Sequence, residues 1–241
     1  EVERPDLAKP GGDLARLFEA LGREWRLAGL DADLAVIRAL QPALEAGDHR
    51  VTVAVHDGRQ VTGVWPGLHD RSYGVAIDVG STTIAGHLAD LGDGRILASH
   101  GAMNPQIRFG EDLMSRVSWV MMHPGGEREL TDLVRGAINA LAADVARQAG
   151  VACVDILEAT FVGNPIMHHL LLGLDPTELG GAPFALAVDE AVRLPAKELG
   201  LPVHPGARRW FEARGLDPIA TALSGGEDYE LLFAVPRRRR R

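Results

Sequence analysis

Three β-strand patterns in immediate succession, over residues 73–102, constrain the fold of this chain more than any other feature. The first, residues 73–80, is apolar enough to be buried, and the turn Ser81-Thr82-Thr83 leads directly into the second, residues 83–91. Gly92-Asp93-Gly94 then turns into the third, residues 95–102. Strands joined by such tight turns pair in antiparallel fashion. We therefore predict a three-stranded meander in which Asp78 lies at a turn rather than in the middle of the sheet.

Helical and extended patterns alternate after the meander. Apolar residues at helical spacing run from Phe109 to Val120 and from Leu130 to Val145, and Gly150 ends the second helix. An extended pattern over residues 154–162 and one or two helical turns over residues 166–172 follow. The order β-β-β-α-α-β-α predicts an α/β unit.

A smaller pattern precedes the meander. Helical spacing begins at Asp13 and stops at Gly22, and a second helical segment runs from about Asp33 to Gly47. Alternating apolar residues over 51–55 and 61–65 flank Asp57-Gly58, a pair that favours a hairpin because both positions need positive φ. We predict a linker over residues 1–10 and a small α+β domain, with the order helix-helix-hairpin, over residues 11–70.

Charge and composition exclude several classes of protein. The net charge of the chain is −8, and residues 237–241 are five arginines, so the preceding residues carry 20 basic and 33 acidic side chains. This acidic body argues against nucleic-acid binding, whereas the arginine run is typical of a solvated end that can attract phosphate or anionic lipid.

The sequence lacks a signal peptide and an apolar run of the roughly 18 residues that cross a membrane, which predicts a cytoplasmic protein. A single cysteine, Cys153, cannot form an internal disulfide, a four-cysteine zinc site or an iron–sulfur cluster.

The segment from Asp78 to Thr83 is the sharpest chemical motif. A glycine that permits a tight turn, successive amides and three hydroxyl groups can surround phosphate oxygens, and a carboxylate at a strand end can hold the hydration shell of Mg²⁺. A Walker loop is excluded, because no Gly-Lys-Ser/Thr follows, and a dinucleotide fingerprint is excluded because a strand comes next. A hydrogen-bonded hairpin turn explains the same residues equally well.

Two further polar clusters are candidates for a site. Gln106, Glu111 and Asp112 lie between a predicted strand and a predicted helix. Helix capping favours carboxylates there, and contact with a substrate or a metal-bound water is the alternative. Gly163 and Asn164 similarly indicate a helix cap first and the rim of a nucleotide site second.

Two other features carry no predicted chemistry. His168 and His169 point about 100° apart on a helix, so they cannot chelate one metal ion. Cys153 lies among apolar residues and is interpreted as a small buried side chain rather than a reactive thiol.

Three linked segments resemble the ATPase domain of the reductive activators of corrinoid proteins. These activators belong to the superfamily of acetate and sugar kinases, heat-shock ATPases and actin. The resemblance runs from about residue 1 to residue 206, and it is carried by residues 73–83, residues 104–112 with Ser115 and Arg116, and residues 162–164 with 167–173. It implies a ribonuclease H-like first lobe of an actin-like ATPase over residues 71–206, and residues 1–70 resemble the family's linker and small middle domain.

The resemblance also implies a function. Such activators use ATP to drive electron transfer that returns a Co(II) corrinoid to Co(I), and a 2Fe-2S domain, which this chain does not contain, supplies the electron. Carried onto this sequence, Asp78 positions Mg²⁺ through water, and Gly80, Ser81, Thr82 and Thr83 hold the phosphates of ATP.

Further expectations follow from the same resemblance. Gln106, Glu111 and Asp112 are expected to lie along the cleft, with Gly163 and Asn164 at the rim of the nucleotide site. The expected partner is a corrinoid iron–sulfur protein or a methyltransferase-type corrinoid protein, and a homodimer is compatible with the sequence.

The last part of the chain departs from the family. A second ATPase lobe is missing after about residue 206, and residues 215–233 resemble a short piece of thiamine-monophosphate kinase, so residues 207–241 are interpreted as a foreign tail ending in arginines. A gene-model junction or a rearrangement explains this equally well. Three hypotheses follow: a fragment of the activator ATPase, a non-catalytic lobe that binds a partner protein, and, as the weakest, a thiamine-monophosphate kinase fragment. Whether the chain turns over ATP stays open at this point.

Overall fold

The computed structural model describes residues 1–8, 10–194, 196–199 and 232–233. The chain separates between Arg71 and Ser72 into two compact units, each with its own sheet and its own buried core. Within the described residues, no helix is both long and apolar enough to cross a bilayer.

The first unit contains two helices and a three-stranded sheet. Its elements are α1 (Asp13–Trp25), β1 (Asp31–Ala32), α2 (Leu34–Ala46), β2 (Val51–His56) and β3 (Gln60–Pro66). The strand order is β1-β3-β2, with β2 and β3 antiparallel and β1 parallel to β3. Side chains of both helices and of β3 form the core, among them Leu17, Leu40 and Val61.

The predicted hairpin is confirmed and the predicted end of the first helix is wrong. Asp57 and Gly58 have φ of 49° and 68° between β2 and β3, as the turn requires. Helix α1, however, continues through Gly22 to Trp25 and ends at Arg26, whose left-handed backbone lets its N–H donate to the Gly22 carbonyl. A glycine inside a helix costs about 1 kcal/mol relative to alanine, and the buried residues Leu17 and Leu21 on the same helix offset that cost.

The second unit is built on a five-stranded sheet with the order β6-β5-β4-β7-β8. Its strands are β4 (Tyr73–Val79), β5 (Thr83–Asp90), β6 (Ile96–Met103), β7 (Ile156–Gly163) and β8 (Leu232–Phe233). The predicted meander is confirmed, because β4 pairs antiparallel with β5 and β5 with β6. Strand β7 lies parallel to β4 on its other side, and β8 lies parallel to β7. Apart from β8, residues 207–241 of the predicted tail lie outside the described residues.

Three helices complete the second unit: α3 (Leu113–Met122), α4 (Gly126–Ala149) and α5 (Pro165–Leu172). Short 3-10 turns occupy Pro105–Phe109, Cys153–Asp155, Thr177–Gly180 and Ala196–Leu199. The predicted order of strands and helices is confirmed. The single helical stretch expected from Phe109 to Val120 is wrong, since Asn104 caps the first 3-10 turn and Asp112 caps a new helix, α3.

Helix α4 packs closely against β5 and covers one face of the sheet. A Cβ at Gly86 would lie 2.1 Å from Leu141 Cδ2, so glycine permits this close approach. Along β4, Val75, Ile77 and Val79 are buried in this core, while Ala76 and Asp78 alternate with them and are exposed. The alternation therefore places the Asp78 side chain on the sheet face that α4 does not cover.

Candidate functional site

The turn between β4 and β5, formed by Gly80, Ser81 and Thr82, is the centre of the candidate site. A Cβ at Gly80 would lie 2.5 Å from the Thr83 carbonyl oxygen, a distance that backbone atoms cannot relieve cheaply. The tightness of this turn thus depends on glycine at position 80.

All three carbonyl groups of the turn are held from the protein side. Asn104 Nδ2 donates to the Gly80 carbonyl at 2.9 Å, and the backbone N–H of Asn104 donates to the Thr82 carbonyl at 2.8 Å. Between them, Arg116 Nη2 donates to the Ser81 carbonyl. Both Asn104 and Arg116 are fully buried, so these carbonyls are directed into the protein.

The planarity of the peptide bond decides where the amides of the turn point. In a trans peptide the carbonyl of one residue and the N–H of the next point in opposite directions. Because the carbonyls of residues 80–82 point inward, the N–H groups of Ser81, Thr82 and Thr83 point outward. In the described part of the chain, the three hydroxyl groups of these residues make no hydrogen bond. Outward amides and free hydroxyls in one turn are groups that can bind an anion.

Asp78 lies beside the turn with an unengaged carboxylate. It is the penultimate residue of β4, opposite Ala85 of β5 and Val162 of β7, and it is exposed. Among the described residues, none donates a hydrogen bond to it or pairs with it. Over the same residues, no group of three or more His, Cys, Asp and Glu side chains could hold a metal ion.

The three residues predicted along the cleft fall in different environments. Gln106 is fully buried, and its Nε2 donates to the Leu130 carbonyl at 2.8 Å, so it lies behind the turn. Glu111 is exposed and has no partner in the described part of the chain. Asp112 accepts hydrogen bonds from the hydroxyl and the N–H of Ser115 at the start of α3, and these bonds lower the pKa of its carboxyl. The geometry of Asp112 is that of a helix cap.

Gly163 and Asn164 lie at the same edge of the sheet as the turn. Gly163 ends β7 directly beside Val79 of β4, and Asn164 Oδ1 accepts from the Met167 N–H to cap α5. A cavity of about 280 Å³ opens here, with Val79, Gly163 and His168 in its lining. The structure thus brings Asp78, the turn, Gly163 and Asn164 to one edge, formed by the carboxyl ends of two parallel strands.

The two histidines of α5 differ in their surroundings. Burial, with a smaller effect of His169, lowers the pKa of His168. His169 is fully buried, its Nδ1 lies 2.7 Å from the Pro165 carbonyl, and its Nε2 accepts from the Ala187 N–H at 3.0 Å. His169 therefore joins Ala187 to α5, and both of its ring nitrogens are engaged within the chain.

Asn104 and Arg116 are the residues that sequence reasoning missed. Both belong to the segments that carry the resemblance, but neither was given a role. Asn104 before Pro105 carries a helix-cap signal, and it does cap the 3-10 turn by accepting from the Gln106 N–H. Arg116 carries no local signal, because its partners lie between 6 and 51 residues away in sequence.

Two family models match almost the whole of the described chain. The model described as the RACo linker region covers residues 1–71, and the model described as the RACo middle region covers residues 73–212. This chain belongs to the family of reductive activators of corrinoid proteins. The family descriptions thus divide the sequence at the boundary where the structure separates into two units.

Two relatives of the family are longer than this chain. The corrinoid activation enzyme RamQ of Eubacterium limosum is 30% identical over 165 residues, which are 68% of this chain and 27% of RamQ. A solved reductive activator for corrinoid, iron–sulfur protein matches with a TM-score of 0.73 and 31% identity, over 85% of this chain and 33% of that one. The chain therefore spans about a quarter to a third of the relatives that it matches.

Proposed function

We propose that this chain supplies a phosphate-binding half-site of a corrinoid activator, and that it binds Mg-ATP at the turn 80–82. In this proposal the activator uses ATP to drive the reduction of a Co(II) corrinoid to Co(I). The partner is a corrinoid iron–sulfur protein or a methyltransferase-type corrinoid protein. Family membership supports the activation of corrinoid proteins, and the geometry of the turn supports the nucleotide.

One observation carries the proposal: the three inward carbonyls of residues 80–82. They leave three outward amides whose orientation is set before any ligand arrives. A preorganised set of N–H donors stabilises phosphate charge without a reorganisation cost. The exposed hydroxyls of Thr82 and Thr83 add donors that can rotate to suit the ligand.

The proposed roles of the other residues follow from their surroundings. Asp78, exposed and without a partner among the described residues, would hold Mg²⁺ through a water molecule. The bound Mg-ATP would supply the free energy of phosphoryl transfer. Glu111 remains a candidate for cleft contact, whereas Asp112 and Asn164 would act through the helices that they cap. Gln106, which is buried, would support the turn from behind.

The electron that reduces the corrinoid cannot come from an iron–sulfur cluster held by these residues. A 2Fe-2S cluster needs four ligands, and these 241 residues offer one cysteine, Cys153, whose thiol pKa is raised by burial. The residues present do not fit such a cluster. We therefore place the electron donor on another segment of the activator or on another protein.

The proposed architecture is a ribonuclease H-like first lobe of an actin-like ATPase over residues 71–206, preceded by a linker and a small α+β domain. The mixed five-stranded sheet, in which α4 packs on one face, supports this assignment. In the superfamily that the chain resembles, the nucleotide lies between two lobes. We therefore expect weak Mg-ATP binding and little turnover by this chain alone.

Calorimetric titration of the whole chain with Mg-ATP tests the proposal. Asp78→Ala should weaken Mg-ATP binding at least about tenfold, because the ion loses its protein anchor, and it should affect metal-free ATP much less. Asp93→Ala is the matched control: Asp93 is an exposed carboxylate at the opposite end of β5 that bonds the Arg95 N–H. Absence of Mg-ATP binding by the unaltered chain, or equal loss in both variants, would refute the proposal.

A second candidate is a non-catalytic lobe that binds a corrinoid protein. The observation that favours it is the exposure of Met114, Met121 and Met122 on α3, at 45%, 58% and 70%. Flexible methionines are common on protein-binding surfaces. Replacement of all three by glutamine should abolish capture of a purified corrinoid protein and leave Mg-ATP binding unchanged. Unchanged capture would exclude this surface.

A further inference from the structure

Arg116 is a fully buried cation directly behind the turn 80–82. Its Nη2 donates to the Ser81 carbonyl and its Nε donates to the Gly110 carbonyl at 3.0 Å. Its Nη1 faces Gln106 Oε1 at 3.2 Å and Met167 Sδ at 3.4 Å. Every partner of the guanidinium is therefore uncharged.

The charge of Arg116 has no carboxylate partner in the described part of the chain. Burial lowers the pKa of its guanidinium, and the charge of Asp112 only partly opposes that effect. Asp112 cannot serve as a close partner, since it is exposed and its carboxylate is engaged by Ser115. A buried cation without a counter-charge costs several kcal/mol, and an anion bound nearby would offset that cost.

We propose that Arg116 is a positioning residue for an anion, and that phosphate bound on the outer side of the turn 80–82 compensates its charge. This inference rests on the proposed function and names the part of the ligand that is recognised: a polyphosphate, either in a nucleoside triphosphate or free. Arg116 does not touch the ligand, because the turn lies between them.

Two physical effects combine at this position. By holding the Ser81 carbonyl, Arg116 fixes the peptide plane that aims the Thr82 N–H outward. Its positive charge acts through the turn in a region of low dielectric, where electrostatic attraction is much stronger than in water. The first effect needs only a hydrogen-bond donor, whereas the second needs the charge, and a measurement can separate them.

The experiment compares three variants of the whole chain by calorimetry with Mg-ATP, sodium tripolyphosphate and adenosine. Arg116→Gln keeps a donor and removes the charge, and Arg116→Lys keeps the charge and loses the forked geometry. Arg135→Gln is the matched control: Arg135 is a second arginine whose pKa burial lowers, and its Nε donates to the Leu171 carbonyl rather than to the turn.

We expect Arg116→Gln to weaken tripolyphosphate and Mg-ATP binding by about tenfold or more, and Arg116→Lys to retain most of the affinity. Rescue of binding by Arg116→Lys but not by Arg116→Gln would separate the charge from the hydrogen bond, because both replacement side chains keep a donor and only lysine keeps the charge. Arg135→Gln should bind as the unaltered chain does. Binding of Mg-ATP but not tripolyphosphate by the unaltered chain would overturn the polyphosphate assignment.

The outcomes separate this inference from the function on which it rests. Absence of binding by the unaltered chain would refute the proposed function. Normal binding by the unaltered chain with unchanged affinity in Arg116→Gln would overturn only the role of Arg116. If both Arg116 variants fail to fold, the Nε–H resonances of ¹⁵N-labelled arginine in the unaltered chain provide the test. The buried Nε–H signal that persists in both Arg135→Gln and Arg16→Gln is that of Arg116. It should shift on titration with tripolyphosphate, and its failure to shift would overturn the inference.

Discussion

Replacement of Asn104 by alanine should destabilise the second unit far more than a single side-chain truncation usually does. Asn104 is 0% exposed and makes three side-chain hydrogen bonds. Its Nδ2 donates to the Gly80 carbonyl and to Gln106 Oε1, and its Oδ1 accepts from the Gln106 N–H. Alanine would remove all three at once, in a region that water does not reach in the folded chain.

The magnitude follows from the groups that lose their partners. The buried Gln106 N–H and the Gly80 carbonyl would each lose a hydrogen bond, at about 1–3 kcal/mol per group. Allowing for partial relaxation, we expect a loss of about 2–4 kcal/mol. Asn164→Ala is the matched control, since Asn164 is only partly buried and makes one capping bond, to the Met167 N–H. Loss of such a cap costs about 1 kcal/mol.

The assay must report on the second unit alone, because two units need not unfold in one transition. Native-state hydrogen exchange of the amides in α4 provides such a readout, since the slowest amides report the opening of the core that contains them. A loss for Asn104→Ala no larger than that for Asn164→Ala would refute the argument that Asn104 is a buried anchor of the turn.

Two further predictions concern packing and pH. Gly86→Ala should destabilise the second unit by about 1–3 kcal/mol, since its Cβ would lie 2.1 Å from Leu141 Cδ2. Chemical denaturation should show a much smaller loss of stability for Gly101→Ala, whose Cβ would meet only one atom, at 4.0 Å. An equal loss of stability in the two variants would contradict the packing argument. Because burial raises the pKa of the Cys153 thiol, less thiolate exists at any given pH. Alkylation by iodoacetamide, followed by mass spectrometry, should be slower in the folded chain than in urea at pH 8 and should accelerate as pH rises; equal rates would contradict the burial.

The order of elements was predictable because each carried its own local signal. The apolar run over residues 73–80 and the turns at Ser81 and Gly92 were enough for the meander, and the apolar spacing of α4 up to Gly150 was enough for the longest helix. Errors arose where a local signal was overruled by packing. Gly22 suggests the end of a helix, but the buried face of α1 carries the helix past it.

The candidate site was predictable only in part, for a different reason. Asp78 and Gly80 could be predicted as site residues, since a carboxylate and a glycine at the end of a strand pattern are recognisable in a linear sequence. The orientation of the turn cannot be recognised in this way, because it depends on whether the carbonyl groups of residues 80–82 are hydrogen-bonded inside the protein. The role of Gln106 could not be predicted for the same reason. Gln106 is polar and lies near the motif, yet its side-chain amide donates to the carbonyl of Leu130, 24 residues away in α4.

The contrast between the turn and its supports bears on how such a site recognises a ligand. Half of the groups that could meet a phosphate in the proposed site are the backbone amides of Ser81, Thr82 and Thr83, and backbone amides are chemically the same in every sequence. What distinguishes this turn is the pair of residues that hold its carbonyls: Asn104, through its side chain and its backbone N–H, and Arg116, through its side chain. If the proposed site binds phosphate, its specificity would depend on buried residues that do not touch the ligand, because these residues hold the carbonyls inward and so turn the amides outward.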